Sequence, residues 1–131
     1  MKGPEILIVE DDEITAHGIR KMLEQMGYSV AGIIDSGEEV LNRLDSLRPD
    51  LIIMDITLAG SIDGIDTAVR INNERYNIPI LYLTANSDIE ILQRAKIATK
   101  SYGYLLKPIK GMDLQININT ALKRHSHEQF H

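Results

Sequence analysis

Four places in the chain hold side chains whose types suit one kind of chemistry. Glu10-Asp11-Asp12 is a run of acids, Asp55 is an acid behind an apolar run, and Thr84 and Lys107 each close a further apolar run. Carboxylates within a few ångströms of one another repel, and they cannot all stay ionised without a counter-charge. A hard dication resolves that conflict, and an all-oxygen donor set favours Mg²⁺, Mn²⁺ or Ca²⁺ over zinc. Mg²⁺ takes one or two carboxylates, keeps several waters and accepts a phosphate oxygen as well. A lysine adds a point charge suited to phosphate, and a threonine adds a hydroxyl donor. The set suits a phosphoryl group, and its one kind of nucleophile is a carboxylate. Attack by Asp55 would give an acyl phosphate, a form of covalent catalysis. Phosphoryl transfer is mostly positioning and charge neutralisation, which these residue types supply.

The elements that must position them follow from the apolar pattern. Ile6–Val9 precedes Glu10, Leu51–Met54 precedes Asp55, Ile78–Leu83 ends at Thr84, and Tyr102–Leu106 precedes Lys107. Short continuous apolar runs between polar ends read as strands buried on both faces. Tyr28–Ile34 is a weaker strand. Asp11 or Asp12 is placed to cap a first helix, on which Ile19, Met22, Leu23 and Met26 share a side and which Gly27 stops. For Asp12, capping is preferred over a water-mediated metal contact. Ser36-Gly37-Glu38-Glu39 is a capping box opening a second helix through Val40, Leu41 and Leu44, ending before Pro49. Residues 56–62 lack a period and read as a loop. Asp63-Gly64 opens a third helix with Ile65, Ala68, Val69 and Ile71. Ser87-Asp88-Ile89-Glu90 is a second capping box, for a helix with Ile91, Leu92, Ala95 and Ala98. The last segment, from Met112 to about Arg124, carries both periods, and its length decides for helix. Leu114, Ile118, Ala121, Leu122 and His125 then share one face, with Met112 and Ile116 opposite.

Five β-then-α units imply a parallel sheet with helices on both faces. Right-handed crossovers leave few topologies. The expected class is α/β, a flavodoxin-like doubly wound (βα)5 fold with strand order 2-1-3-4-5. Ligands in such sheets bind beyond the carboxyl ends of the strands, at the switch point between strands 1 and 3. Glu10, Asp11, Asp55, Thr84 and Lys107 all stand at such ends.

Composition narrows the function. A chain of 131 residues, 44% hydrophobic and 25% charged, has the make-up of one ordinary globular domain. We expect that domain over residues 1–125, with a polar tail or the start of a linker over 126–131. A net charge of -5 argues against direct nucleic-acid binding. The absence of cysteine excludes disulfides and thiolate metal sites. No apolar stretch nears the roughly 20 residues that span a bilayer, and the first residues do not form a signal peptide. The expected location is cytoplasmic, without membrane insertion and without a DNA-binding domain after Arg124.

Five motifs in order carry a family resemblance. They are Ile-Leu-Ile-Val-Glu-Asp-Asp (6–12), Pro-Asp-Leu-Ile-Ile-Met-Asp (49–55), Asp63-Gly64, Leu83-Thr84-Ala85 and Gly-Tyr-Leu-Leu-Lys-Pro (103–108). From Ile6 to Leu122 the chain resembles the response-regulator receiver domains of two-component signalling. The resemblance implies that Asp55 accepts phosphate from a phosphohistidine of a sensor histidine kinase or phosphotransfer protein. It implies that Glu10, Asp11, Asp55 and the backbone carbonyl of Thr57 hold Mg²⁺, and that Thr84 and Lys107 contact the phosphoryl group. Tyr104 is the implied switch aromatic, turning inward as Thr84 moves. The implied output face combines the fourth helix, fifth strand and fifth helix, where a second copy or a downstream domain would dock. It implies a regulatory domain that promotes only its own phosphorylation and dephosphorylation. Three departures touch loop shape: Ala59 stands where many members have proline, the loop before Gly64 is one residue longer, and Lys100-Ser101 replaces a Gly-Ala pair. Tyr-Gly-Tyr-Leu-Leu-Lys-Pro and the Ala-Gly pair of the loop resemble receivers attached to sensor kinases.

Two other classes fit less well. A phosphatase of the haloacid dehalogenase type needs a second aspartate two residues after the nucleophile, where this chain has Thr57. A flavodoxin-like cofactor binder needs a first loop rich in Ser, Thr and Gly, where Glu10-Asp11-Asp12-Glu13 would repel a phosphate. His17 lies opposite the apolar side of its helix and reads as solvated. His125, His127 and His131 read as a polar tail with, at most, weak adventitious metal binding.

Overall fold

The apolar runs become β1 (Glu5–Val9), β2 (Ser29–Ile34), β3 (Leu51–Asp55), β4 (Ile80–Thr84) and β5 (Tyr104–Leu106). Between and after them lie α1 (Glu13–Gln25), α2 (Gly37–Leu47), α3 (Gly64–Asn73), α4 (Ile89–Ala98) and α5 (Gly111–Gln129). The computed structural model describes residues 3–58, 60–74, 76–85, 89–99 and 102–129, with Ile89 and Leu92 described by backbone alone. Ala59, the Ser87-Asp88 start of the second capping box, the Lys100-Ser101 pair and His131 lie outside the described residues.

All strand pairs are parallel and the order is β2-β1-β3-β4-β5, as the βα alternation predicts. Alternate strand residues face opposite layers. Leu7, Val9, Ile52, Met54, Ile80 and Tyr82 pack with Val40, Leu44, Ile65, Ala68, Ile71 and Ala95 of α2, α3 and α4. Ile6, Ile8, Leu51, Ile53, Leu81 and Leu83 pack with Ile19 and Leu23 of α1 and Leu114 and Ile118 of α5. This double covering is why the strands read as unbroken apolar runs rather than as alternation.

Local signals set most helix ends. Gly27 takes φ 91° just after α1, a conformation that costs glycine little. Ser36 Oγ accepts the Glu39 N–H at 3.2 Å and starts α2. Asp63 and Asp66 form a reciprocal capping box on α3. Asp12 stands at the N-cap of α1, but its carboxylate accepts the Thr15 hydroxyl at 2.5 Å instead of a backbone N–H.

Three boundaries or faces differ from the sequence reading. Regular β5 begins at Tyr104 rather than Tyr102, because Gly103 turns the backbone at φ 150°. In α4, Ala98 is exposed, and the inward row is Ile91, Ala95 and then Thr99, whose hydroxyl donates to Ala95 O at 3.0 Å. Helix α5 runs on through Gln129, past Arg124. Its last turns are fastened by tertiary contacts: His125 Nε2 lies 2.8 Å from Asn77 O, and Asn77 Nδ2 donates to Gln129 Oε1 at 2.6 Å. His125 and His127 are therefore helical residues, and His125 is half-buried.

Candidate functional site

β1 and β3 are neighbours, so their carboxyl ends deliver Glu10 and Asp55 to one edge of the sheet. Asp55 closes β3 with 3% exposure, and Glu10 follows β1 with 2%. Asp11, one residue on, is exposed. Carboxylate oxygens of Glu10, Asp11 and Asp55 all lie within 4.8 Å of one another. Asp12, the fourth acid of the region, turns away to Thr15.

Lys107 is brought across from β5. Its backbone N–H donates to Thr84 O at 2.8 Å, tying the end of β5 to the end of β4. Its Nζ lies 3.1 Å from Asp55 Oδ2 and 2.5 Å from Glu10 Oε1. The contact with Glu10 is an ion pair without hydrogen-bond alignment, so Oε1 is buried and lacks a hydrogen bond. Glu10 Oε2 accepts the Asp12 N–H at 3.1 Å. Asp55 Oδ1 accepts both the backbone N–H and the hydroxyl of Thr57, at 3.0 and 3.2 Å.

These surroundings split the two buried acids. Burial, aided by the neighbouring Asp55, pushes the Glu10 carboxyl up to about 7, against the pull of Lys107 and the Asp12 N–H. Burial pushes Asp55 up too, but the Thr57 N–H, a hydrogen bond with Glu10 and the Lys107 ammonium outweigh it, and Asp55 sits below its ordinary value. Burial pushes Lys107 down, and Glu10 and Asp55 more than reverse that. Asp55 is thus the more firmly ionised of the two acids, and Glu10 the more readily protonated.

The donor set fits a hard dication. It is all oxygen, it places two buried acids beside one exposed acid, and Glu10 Oε1 is a buried acceptor with no aligned donor. Gly64 sets the approach of α3 to this edge: a Cβ there would collide with the Asp55 carbonyl oxygen. Thr84 ends β4 at 3% exposure, on the strand next to Asp55.

Tyr104 is turned into the molecule. Its ring stacks on Tyr82 with centroids 5.9 Å apart, and among the described residues its buried hydroxyl has no hydrogen-bond partner. Tyr82 does better: its hydroxyl lies 2.6 Å from Thr99 Oγ1, which itself donates to Ala95 O.

The structure thus gathers Glu10, Asp11, Asp55 and Lys107, with Thr57 on Asp55 and Thr84 on the adjoining strand. Sequence reasoning passed over the contacts that support this edge from a distance. Glu38 holds Ser61 and Ile62, and Arg94 Nη2 pairs with Asp63 at 2.7 Å. A charge in a helix's first turn was the one visible sign of Glu38, and it named no partner.

Known proteins with the same pattern agree on the class. Residues 6–119 match the family model described as response regulator receiver domain. Transcriptional regulatory protein PdtaR of Mycobacterium tuberculosis is 35% identical over 119 residues, 91% of this chain and 57% of that protein. Transcriptional regulatory protein AfsQ1 of Streptomyces coelicolor is 35% identical over 126 residues, 95% of this chain and 54% of that protein. The chain spans about half the length of the curated relatives it matches. The signal receiver domain of a modulated diguanylate cyclase from Desulfovibrio desulfuricans G20 superposes with a TM-score of 0.89 at 39% identity, over 97% of this chain and 99% of that one. The receiver domain of a sensor histidine kinase from Pseudomonas aeruginosa PAO1, solved with a magnesium ion in its active site cleft, gives 0.82 at 30% identity, over 92% and 98%. On its family match, its relatives and its fold, this chain belongs to the response regulator receiver domains of two-component systems.

Proposed function

We propose that the chain is the phosphoacceptor switch of a two-component phosphorelay, with Asp55 as the acceptor. The observation that carries this is Lys107 Nζ between the two buried acids, 3.1 Å from Asp55 and 2.5 Å from Glu10. A lysine there neutralises charge as an anionic group arrives. Asp55, held ionised, attacks the phosphorus of a phosphohistidine on a sensor kinase or phosphotransfer protein. The new O–P bond forms as the N–P bond breaks, and the imidazole leaves with the electron pair.

Glu10, Asp11, Asp55 and the Thr57 carbonyl would hold Mg²⁺, with Mn²⁺ or Ca²⁺ as substitutes. The ion would neutralise charge that develops on the transferred oxygens. Thr84 and Lys107 contact the new phosphoryl group. Tyr104 already stands inward on Tyr82, so the movement of Thr84 would hold it there rather than draw it in, and the output face of α4, β5 and α5 would change with that pair. That face carries exposed apolar side chains suited to a second copy or a downstream domain: Ile97 at 88% exposure, Met112 at 74%, and Leu106 and Ile116 at 56%. In this reading the domain acts in the cytoplasm as a regulatory unit with no substrate to turn over. Among the described residues, no helix is long and apolar enough to cross a membrane.

The test is labelling by acetyl phosphate with and without Mg²⁺, followed by intact mass. Wild type gains one phosphoryl group only with the metal, and Asp55→Asn gains none. Undiminished labelling of Asp55→Asn would sink the assignment.

A further inference from the structure

The loop between β3 and α3 carries Thr57, and its two ends are well fixed. At the start, Ile56 N donates to Leu83 O at 2.9 Å, and Ile56 and Leu58 are buried. At the finish, Asp63 caps α3. Among the described residues, the middle is held less closely. It contains no proline to restrict φ, Gly60 sits at φ 110°, and Gly60 and Ser61 are exposed.

One side chain from another element grips this stretch. Glu38 Oε1 accepts the Ser61 hydroxyl at 2.8 Å and the Ile62 backbone N–H at 3.1 Å. The Ser61 hydroxyl, and then the Ile62 N–H, hold the Glu38 carboxyl below its ordinary value, so it stays ionised and acceptor-only at neutral pH. The local backbone is shaped around it. A Cβ on Gly60 would stand 3.1 Å from Glu38 Oε2. Gly37, the first residue of α2, lets the helix start against α3 and Ile62: a Cβ there would collide with Thr67 Oγ1 and lie 3.0 Å from the Ile62 side chain. Ser36 caps that same turn, which fixes where Glu38 begins its reach.

We infer that Glu38 is a positioning residue for the acid site: from α2, it holds Ser61 and Ile62, and so the return of the loop whose first turn presents Thr57. The inference rests on the proposed function, since it needs a metal or phosphoryl group for the loop to serve. Fixing the loop before the ion arrives spares binding the entropy of ordering it. Residues that orient ligands from behind typically matter by about 10–100-fold in metal affinity. The short reach, through backbone and one hydroxyl, points to the lower end.

Calorimetric titration of the full chain with MgCl₂ tests this. Wild type comes first, and failure of wild type to bind Mg²⁺ would remove the proposed function itself. Given wild-type binding, Glu38→Ala binds about tenfold more weakly, with a similar thermal midpoint. Glu38→Gln keeps an acceptor oxygen at the same place and restores most of the affinity. Equal affinity in Glu38→Ala and wild type overturns the inference. So does a Glu38→Gln loss as large as that of alanine, because the effect would then be charge and not position. Should Glu38→Ala fold poorly, Ser61→Ala removes one of the two bonds from the loop side. It then gives a smaller loss of affinity, or by its absence counts against the role.

Discussion

Where the strands begin, polar side chains are matched. Tyr102 donates to Glu128 Oε2 at 2.8 Å, Tyr76 to Asp45 Oδ1 at 2.7 Å, and the Glu5 N–H to Asp50 Oδ2 at 2.7 Å. The Arg124 guanidinium lies 4.8 Å from the centre of the Tyr102 ring. Towards the ends where the strands finish, Glu10 Oε1 rests on its ion pair with Lys107 alone, and among the described residues the Tyr104 hydroxyl is buried without a hydrogen bond. At the first end, the contacts of Tyr102, Tyr76 and Glu5 satisfy their polar groups. The other keeps buried polar groups that cost stability.

Three substitutions put pressure on that contrast. The largest effect belongs to Glu10→Gln. Glu10 holds its proton more tightly in the fold, at about 7, than at its ordinary 4.5. The folded state thus binds the extra proton, and metal-free stability falls as pH rises through that window. In EDTA, Glu10→Gln flattens this slope and is more stable at about pH 8 by on the order of 2 kcal/mol. Urea unfolding across pH reads it, and a variant less stable than wild type there would show the buried acid to be no burden.

Tyr104→Phe comes next. A buried hydroxyl without a partner costs about 1–3 kcal/mol, and phenylalanine keeps the ring on Tyr82. We expect a gain of about 1 kcal/mol by thermal or urea denaturation; a loss would mean that the hydroxyl is satisfied in solution. The smallest is Tyr102→Phe at the matched end. It removes the bond to Glu128, keeps the ring under Arg124, and costs about 0.5–1 kcal/mol. Acetyl phosphate labelling stays at the wild-type level. Slowed labelling would break the division between the two ends.

Much of this was legible in the chain because the strands are covered on both sides. Leu51–Met54 could hardly be anything but a central strand, and an acid behind it has to emerge at the sheet edge. Parallel order then brought Glu10 and Asp55 together without any knowledge of distances. The end of α5 was not legible. Its last turns are polar, and what keeps them helical is Asn77, 48 residues from His125. The inward row of α4 is not legible either, because Ala98 fits an apolar stripe by type, while Thr99 gains a bond to Ala95. Glu38 shows the same limit. Its position in a capping box was plain, but its partners lie 23 and 24 residues away. Nor does a sequence show that a tyrosine hydroxyl goes without a partner.

Gly64 has a consequence for what the chain tolerates. The segment that leaves β3 after Asp55 comes back at Gly64 to touch the Asp55 carbonyl. The two ends of the segment therefore meet at one residue, and the fit there depends on Gly64 having no side chain. Ordinary surface loops absorb insertions at small entropic cost. Length can vary between the two ends here as well, but a side chain at position 64 would have to push α3 away from Asp55 or move Asp55 itself.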